Sequence, residues 1–185
     1  MSAASHPPFR VLFSHDEILR RCHELARAIL DAHRDEPPTL VMVVEGARPF
    51  VRVLQRLLPA GLPIHEVRAK SYSGTTSTGQ VELRGVESVP CKGRDVLLLE
   101  DIVDTGRTIA ALREHFAGAG ARSVRTAALL SKPSRRVVEA PVEFVGFVIP
   151  DEFVIGFGMD LDGRYRELQD IVVYEAAVES AHAGA

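Results

Sequence analysis

The eleven residues Val96–Gly106, Val-Leu-Leu-Leu-Glu-Asp-Ile-Val-Asp-Thr-Gly, constrain this chain more than any other stretch. An unbroken apolar run cannot be half solvated, so Val96–Leu99 reads as a strand covered on both faces, as in a parallel sheet. Its far end turns abruptly polar at Glu100 and Asp101. In open α/β sheets, ligands settle beside the carboxyl ends of the strands, where strand order reverses. Asp104-Thr105-Gly106-Arg107-Thr108 then makes a short turn into a helical run, Ile109–Phe116, so amides and hydroxyls can surround a phosphate at a helix N-terminus. The adjacent carboxylates of Glu100 and Asp101 suit the vicinal hydroxyls of a ribose. A phosphate cradle beside a diol clamp points to a sugar phosphate. Solvated acids on an ordinary strand–turn–helix would not call for the Asp-Thr-Gly-x-Thr spacing.

The remaining pattern alternates as a parallel sheet requires. Ser14-His15-Asp16-Glu17 is a capping-box sequence, and Ile18, Cys22, Leu25, Ile29 and Leu30 recur at helical spacing, which predicts a helix over 15–33. Pro37-Pro38 separates it from a buried strand at Leu40–Val44. The turn Glu45-Gly46-Ala47-Arg48 leads to a helix at about Pro49–Leu58, with proline in its first turn. Ile64–Ala69 and Val81–Leu83 read as the arms of a long hairpin around 71–80, whose Ser, Thr and Gly content predicts a mobile loop. Gly118-Ala119-Gly120 stops the helix after the phosphate turn. Strands follow at Val124–Leu130 and Val142–Ile149, then short extended pieces at Ile155–Gly158 and Ile171–Tyr174. The class is α/β with a mainly parallel sheet.

Composition narrows the partners. A chain of 185 residues, 46% hydrophobic and 25% charged, suits one soluble domain with a sizeable core. That domain is expected to fill 1–185, its core at about 11–175 and an Ala-rich, frayed tail at 176–185. A net charge of −3 and a pI near 6.2 leave no electrostatic footprint for nucleic acid. Cys22 and Cys91 stand in no metal-ligand spacing and read as inert thiols. Met1–Pro8 has no charged start followed by an apolar signal core, and no apolar run approaches a membrane span, so a cytoplasmic protein is expected.

The signature string resembles that of the type I phosphoribosyltransferases, which bind 5-phosphoribosyl-1-pyrophosphate (PRPP). Further segments narrow the likeness: Leu129–Arg136, Val145-Gly146-Phe147, Ile149–Val154, Gly156–Asp160 and Arg164-Tyr165-Arg166 resemble the C-terminal half of the hypoxanthine-guanine phosphoribosyltransferases. Ala69-Lys70-Ser71-Tyr72 and the loop behind it match the same family, so the likeness runs from about Val11 to Val173. It implies a twisted, mainly parallel sheet flanked by helices, a small hood and a mobile loop. It also implies purine salvage: Mg²⁺-dependent transfer of phosphoribosyl from PRPP to N9 of hypoxanthine or guanine, giving the nucleotide and pyrophosphate, in a homodimer or homotetramer.

The resemblance assigns roles residue by residue. Thr105, Gly106, Arg107 and Thr108 would hold the 5-phosphate. Glu100 and Asp101 would hold the ribose hydroxyls, directly or through magnesium, and Asp104 would be the general base at N7. Lys132 would donate to the 6-oxo group, which the 6-amino group of adenine could not accept. Phe153 would stack on the purine, while Val154 offers backbone to its Watson–Crick edge. Asp160 would contact Mg²⁺, Arg166 would bind pyrophosphate, and Ser71 and Tyr72 would head the closing loop. Taken alone, Lys132 would read as a solvated charge and Phe153 as core packing.

One position departs from the pattern. The family's Lys-Gly after the first buried strand, whose peptide is expected to be cis and to offer its backbone to pyrophosphate, is here Glu45-Gly46. A carboxylate facing pyrophosphate would repel it, so Glu45 is expected to turn away, the Gly46 backbone to keep its role, and Arg48 to supply the missing charge. Two alternatives stay open: a non-catalytic regulator on the same fold, and an enzyme for xanthine or another purine. Retention of Asp104, Lys132 and Asp160 weighs against the first.

Overall fold

Two largely apolar runs, Thr39–Val43 and Val96–Leu99, lie side by side at the centre of the structure and are buried on both faces. The computed structural model describes residues 9–71 and 81–174. In chain order these form β1 (Phe9–Phe13), α1 (His15–Ala32), β2 (Thr39–Val44), α2 (Arg48–Leu57), β3 (Ile64–Ser71), β4 (Val81–Arg84), β5 (Asp95–Val103), α3 (Arg107–Gly118), β6 (Ser123–Ser131), β7 (Phe144–Val148), β8 (Val154–Ile155) and β9 (Ile171–Tyr174).

The main sheet has the order β4-β3-β2-β5-β6-β7. All its pairs are parallel except β3 with β4. The chain steps outward from β2 to β3, then returns to the other side of β2 for β5, so the winding reverses between β2 and β5. That is the topological switch point at which α/β sheets bind ligands. The two strands also part there. Their ladder ends at the Met42–Leu99 pair, whereas β5 stays with β6 as far as Val103–Ser131 and β2 stays with β3 to Val44–Arg68.

Successive side chains of β5 point to opposite faces. Leu97 and Leu99 join Ile18, Phe50 and Leu54 under α1 and α2. Val96 and Leu98 join Ile109, Leu112 and Phe116 under α3. The capping box forms at the start of α1: the Ser14 backbone N–H donates to Glu17 Oε2 at 2.9 Å, and its hydroxyl donates to the same oxygen at 2.6 Å. Cys22 is wholly buried on this helix, and burial pushes its thiol up to about 12, which makes it inert at neutral pH. A second, antiparallel sheet, β1-β9-β8, forms a hood beside the carboxyl ends of the main strands.

Several boundaries differ from the sequence expectation. The signature strand does not stop at its acids but runs through Glu100 and Asp101 to Val103, because β6 continues to pair with it. Helix α3 starts at Arg107 instead of Ile109, and β7 is shorter than the expected Val142–Ile149. Ile155–Gly158 is extended only at Ile155; Gly156, Phe157 and Gly158 all take positive φ and make a turn. Strand β1 had no sequence signal. The 71–80 loop and the 176–185 tail fall outside the described residues, apart from the backbone of Ser71. No helix among the described residues is long and apolar enough to cross a membrane.

Phe116 is fully buried, whereas Val148 on the sheet edge is 66% exposed. Phe116→Ala is expected to lower unfolding free energy by about 3–5 kcal/mol, and Val148→Ala by no more than about 0.5 kcal/mol. Equal costs in denaturant titration would contradict this placement of the core.

Candidate active site

The parting of β2 and β5 opens a cavity of about 230 Å³ lined by Glu45, Gly46, Glu100, Asp101 and the Asp104–Gly106 turn with Thr108. A second, of about 240 Å³, is lined by Lys132, Phe153, Val154, Asp160 and again Asp101 and Asp104. Because both share Asp101, Ile102 and Asp104, they form one crevice with Asp104 at the seam. One end presents a turn at a helix N-terminus; the other presents a half-exposed ring, a buried ammonium and strand backbone.

Local geometry explains the sequence at each wall. Gly106 is the N-cap of α3 with φ 85°, a region that favours glycine. A Cβ there would lie 2.8 Å from Ala140 Cβ and 3.1 Å from both Arg136 Cδ and Val138 O, so the phosphate-type turn is packed from behind by the β6–β7 connection. Gly46 is required by close approach: its Cβ would sit 1.8 Å from Asp101 Oδ2. The hood reaches the same point, since a Cβ on Gly158 would sit 2.1 Å from Gly46 O.

The floor of the crevice is acidic. Glu100 is only 7% exposed, and burial, reinforced by the neighbouring Asp101, pushes its carboxyl well above the usual carboxylate range. A buried carboxyl beside a second carboxyl is a place where a cation would relieve the cost of charge. Among the described residues no cluster of three or more His, Cys, Asp or Glu side chains could hold a metal alone. Mg²⁺ needs no such cage, because it is usually held by one or two carboxylates completed by substrate phosphates and water. The donor set therefore fits that ion.

Asp160 and Arg166 are brought together: Arg166 Nη2 lies 2.7 Å from Asp160 Oδ1. Gly163 N donates to the other carboxylate oxygen at 2.7 Å, and Arg166 Nη1 donates to Gly158 O at 2.6 Å. Lys132 is 7% exposed, so it is no solvated charge; its Nζ lies 3.9 Å from Asp151 Oδ1. Phe153 is 50% exposed, so it is not core packing either, while Val154 is buried in β8. Asp104 Oδ1 accepts from Arg135 Nε at 3.2 Å.

Other expectations need correction. The cis peptide is Val44–Glu45, one bond before the expected Glu45–Gly46. Arg48 does not line the crevice; its guanidinium donates to both oxygens of Glu66, at 2.7 and 3.0 Å, and lies 3.7 Å from Glu45. Glu45 borders the cavity, and its carboxylate is held at 3.1 Å by Arg68 on β3. The side chain of Arg107 is exposed and outside the lining, which leaves that position its backbone at the start of α3. Tyr72 and the Ser71 side chain lie outside the described residues. Sequence reasoning assigned no role to Arg135, Arg136 or Asp151. The run of charge directly after Lys132-Pro133 was the available signal.

Known proteins resemble this chain in sequence and fold. The phosphoribosyl transferase domain family matches residues 11–162. The hypoxanthine-guanine phosphoribosyltransferase of Streptococcus thermophilus is 35% identical over 170 residues, 91% of this chain and 94% of that protein. The bifunctional protein TilS/HprT of Listeria monocytogenes is 37% identical over 172 residues, 92% of this chain, which thus spans about a quarter (26%) of that longer relative. A crystal structure of a Staphylococcus aureus hypoxanthine phosphoribosyltransferase superposes with a TM-score of 0.84 at 31% identity, covering 91% of this chain and 92% of that one. The chain therefore belongs to the hypoxanthine-guanine phosphoribosyltransferase family, on the type I phosphoribosyltransferase fold.

Proposed function

We propose that this chain is a purine-salvage enzyme that transfers the 5-phosphoribosyl group of PRPP to N9 of hypoxanthine or guanine, releasing pyrophosphate. The observation that carries the reading is the single crevice with Asp104 at its seam: phosphate-type turn and acids on one side, Lys132 and Phe153 on the other. The amides of the Asp104–Thr108 turn and the Thr105 and Thr108 hydroxyls hold the 5-phosphate, with the α3 dipole in support. Glu100 and Asp101 face the ribose hydroxyls. Phe153 stacks on the base, Val154 backbone reads its edge, and buried Lys132 donates to the 6-oxo atom. As the C1′–oxygen bond to pyrophosphate breaks and C1′–N9 forms, the electron pair leaves with pyrophosphate and Asp104 takes the N7 proton. Gly46 backbone and Arg166 hold the leaving group; Ser71 and Tyr72, assigned by the resemblance to the substrate site, complete the set of proposed contacts.

Mg²⁺ held by Asp160 and by the Glu100–Asp101 pair, together with substrate phosphates, would supply charge neutralisation at pyrophosphate. The same reading makes the chain one domain over 1–185, working in the cytoplasm as a homodimer or homotetramer, with no nucleic acid or membrane partner. Light scattering on the purified protein decides the assembly.

Initial rates with PRPP, Mg²⁺ and each of hypoxanthine, guanine, xanthine and adenine test the function directly. Hypoxanthine and guanine are expected to lead. Preference for xanthine would move the substrate, and no nucleotide from any base would favour a regulator. Asp104→Asn should slow nucleotide formation by about two to four orders of magnitude with donor binding retained; parent-like turnover would remove Asp104 from the role. Lys132→Ala should cut the hypoxanthine-to-adenine ratio of kcat/KM by roughly 1–3 kcal/mol, the cost of one unpaired polar group; an unchanged ratio would place selectivity elsewhere. Gly46→Ala drives a methyl into Asp101 and should lower kcat/KM for PRPP by about a hundredfold in a folded protein. Unaltered kinetics would show that the turn can yield.

A further inference from the structure

One cation reaches the reacting end of the crevice without a role in the reaction described above. Arg135 closes the short 3-10 turn Pro133–Arg135 directly after Lys132. Its guanidinium is forked between two carboxylates: Nε donates to Asp104 Oδ1 at 3.2 Å and Nη1 to Asp151 Oδ2 at 3.5 Å. The second oxygen of Asp151 lies 3.9 Å from Lys132 Nζ. An unbroken line of charges thus joins Asp104 to Lys132. The next residue, Arg136, ties that turn to the end of β5 through its guanidinium, which donates to the carbonyl oxygens of Val103 and Asp104 and to Ser131 Oγ.

Stability does not account for this arrangement. The Arg135, Asp104 and Asp151 side chains are 47%, 38% and 54% exposed, and solvent-exposed ion pairs contribute little to folding. What a forked guanidinium does supply is orientation. An aspartate carboxylate turns freely about its last torsion, whereas a base acting on a ring N–H must present one oxygen in a fixed direction. Arg136 holds the backbone of Asp104, and the Arg135 bond to Oδ1 restricts that rotation and leaves Oδ2 for the substrate.

We propose that Arg135 is a positioning residue for the phosphoribosyl transfer: it orients the Asp104 carboxylate toward the purine and, through Asp151, couples that orientation to the placement of Lys132. This rests on the reading of Asp104 as the general base. The two groups that must engage the same purine, one at N7 and one at the 6-oxo atom, are then held at a set separation by a bridge outside the pocket.

A kinetic double-mutant cycle tests it. Arg135→Gln, Arg135→Lys, Asp104→Asn and the Arg135→Gln/Asp104→Asn double variant are assayed with hypoxanthine, PRPP and Mg²⁺, and their melting temperatures are compared. Arg135→Gln is expected to lower kcat about tenfold, the scale of a modest misorientation, with PRPP KM and Tm close to those of the parent. Arg135→Lys should recover most of kcat, because an ammonium can still hold Oδ1. In the Asp104→Asn background, Arg135→Gln should have no further effect, since there is no base left to orient. Parent-like kcat in Arg135→Gln, a parallel loss in PRPP KM, or the same loss with and without Asp104 would overturn the positioning role while leaving the base intact. Parent-like kcat in Asp104→Asn would instead overturn the reading of the base, and this inference with it.

Discussion

Two neighbouring strands can stay hydrogen-bonded only while they run side by side, and here the central pair stops doing so at Met42 and Leu99. Beyond that rung β2 follows β3 and β5 follows β6. A crevice must open between them, and its walls are whatever residues come next in each strand: Glu45 and Gly46 on one side, Glu100 to Thr105 on the other. The apolar runs that precede the parting fix its position, since shifting either strand by one residue would exchange the core facing α1 and α2 for that facing α3. The site is thus a consequence of the core. The hood adds a third wall, with Gly158 seated against Gly46 and Phe153 and Val154 brought over Lys132 and Asp160.

The electrostatics show a site shaped for charged ligands at some cost to the protein alone. Glu100 is buried beside Asp101, and its carboxyl is held well above the usual range. For an acid shifted upward on folding, the native state keeps a proton that the unfolded chain gives up, so stability declines as pH rises through the ordinary carboxylate range. Other charges near the crevice are compensated internally. Glu45, which replaces the expected lysine, is held by Arg68, and Asp160 by Arg166. Arg68 on β3 and Arg48 at the start of α2 both draw on Glu45, so the departure at position 45 is absorbed by a network that includes Glu66.

What the sequence made legible was local chemistry with a strong period. Leu40–Val44, Val96–Leu99 and the Ala127–Leu130 end of Val124–Leu130 could be placed because strands covered on both faces are apolar there. Helix α1 was announced by Ser14 and Glu17, which bond as a capping box should. Strand β1 was not legible, since its pairing partner β9 lies at the other end of the chain and Phe9–Phe13 shows no alternation in burial. The Gly156–Gly158 turn reads as extended until its positive φ values are seen. Of the site, Lys132 and Phe153 would each have been misplaced on their own; only the surrounding family motifs put them in the pocket, where the structure has them. The bridge from Asp104 through Arg135 and Asp151 to Lys132 was invisible, because no periodicity links side chains that meet through a turn.

The crystal structure of this protein with bound inosine monophosphate tests most directly whether the parting of β2 and β5 is where the reaction occurs. The phosphate is expected within hydrogen-bond distance of the Thr105–Thr108 amides and hydroxyls. The purine should lie on Phe153 with its 6-oxo atom at Lys132 Nζ and N7 at Asp104. A nucleotide bound elsewhere, or one entering the crevice with its base at the Thr105–Thr108 turn, would contradict the placement of both substrates.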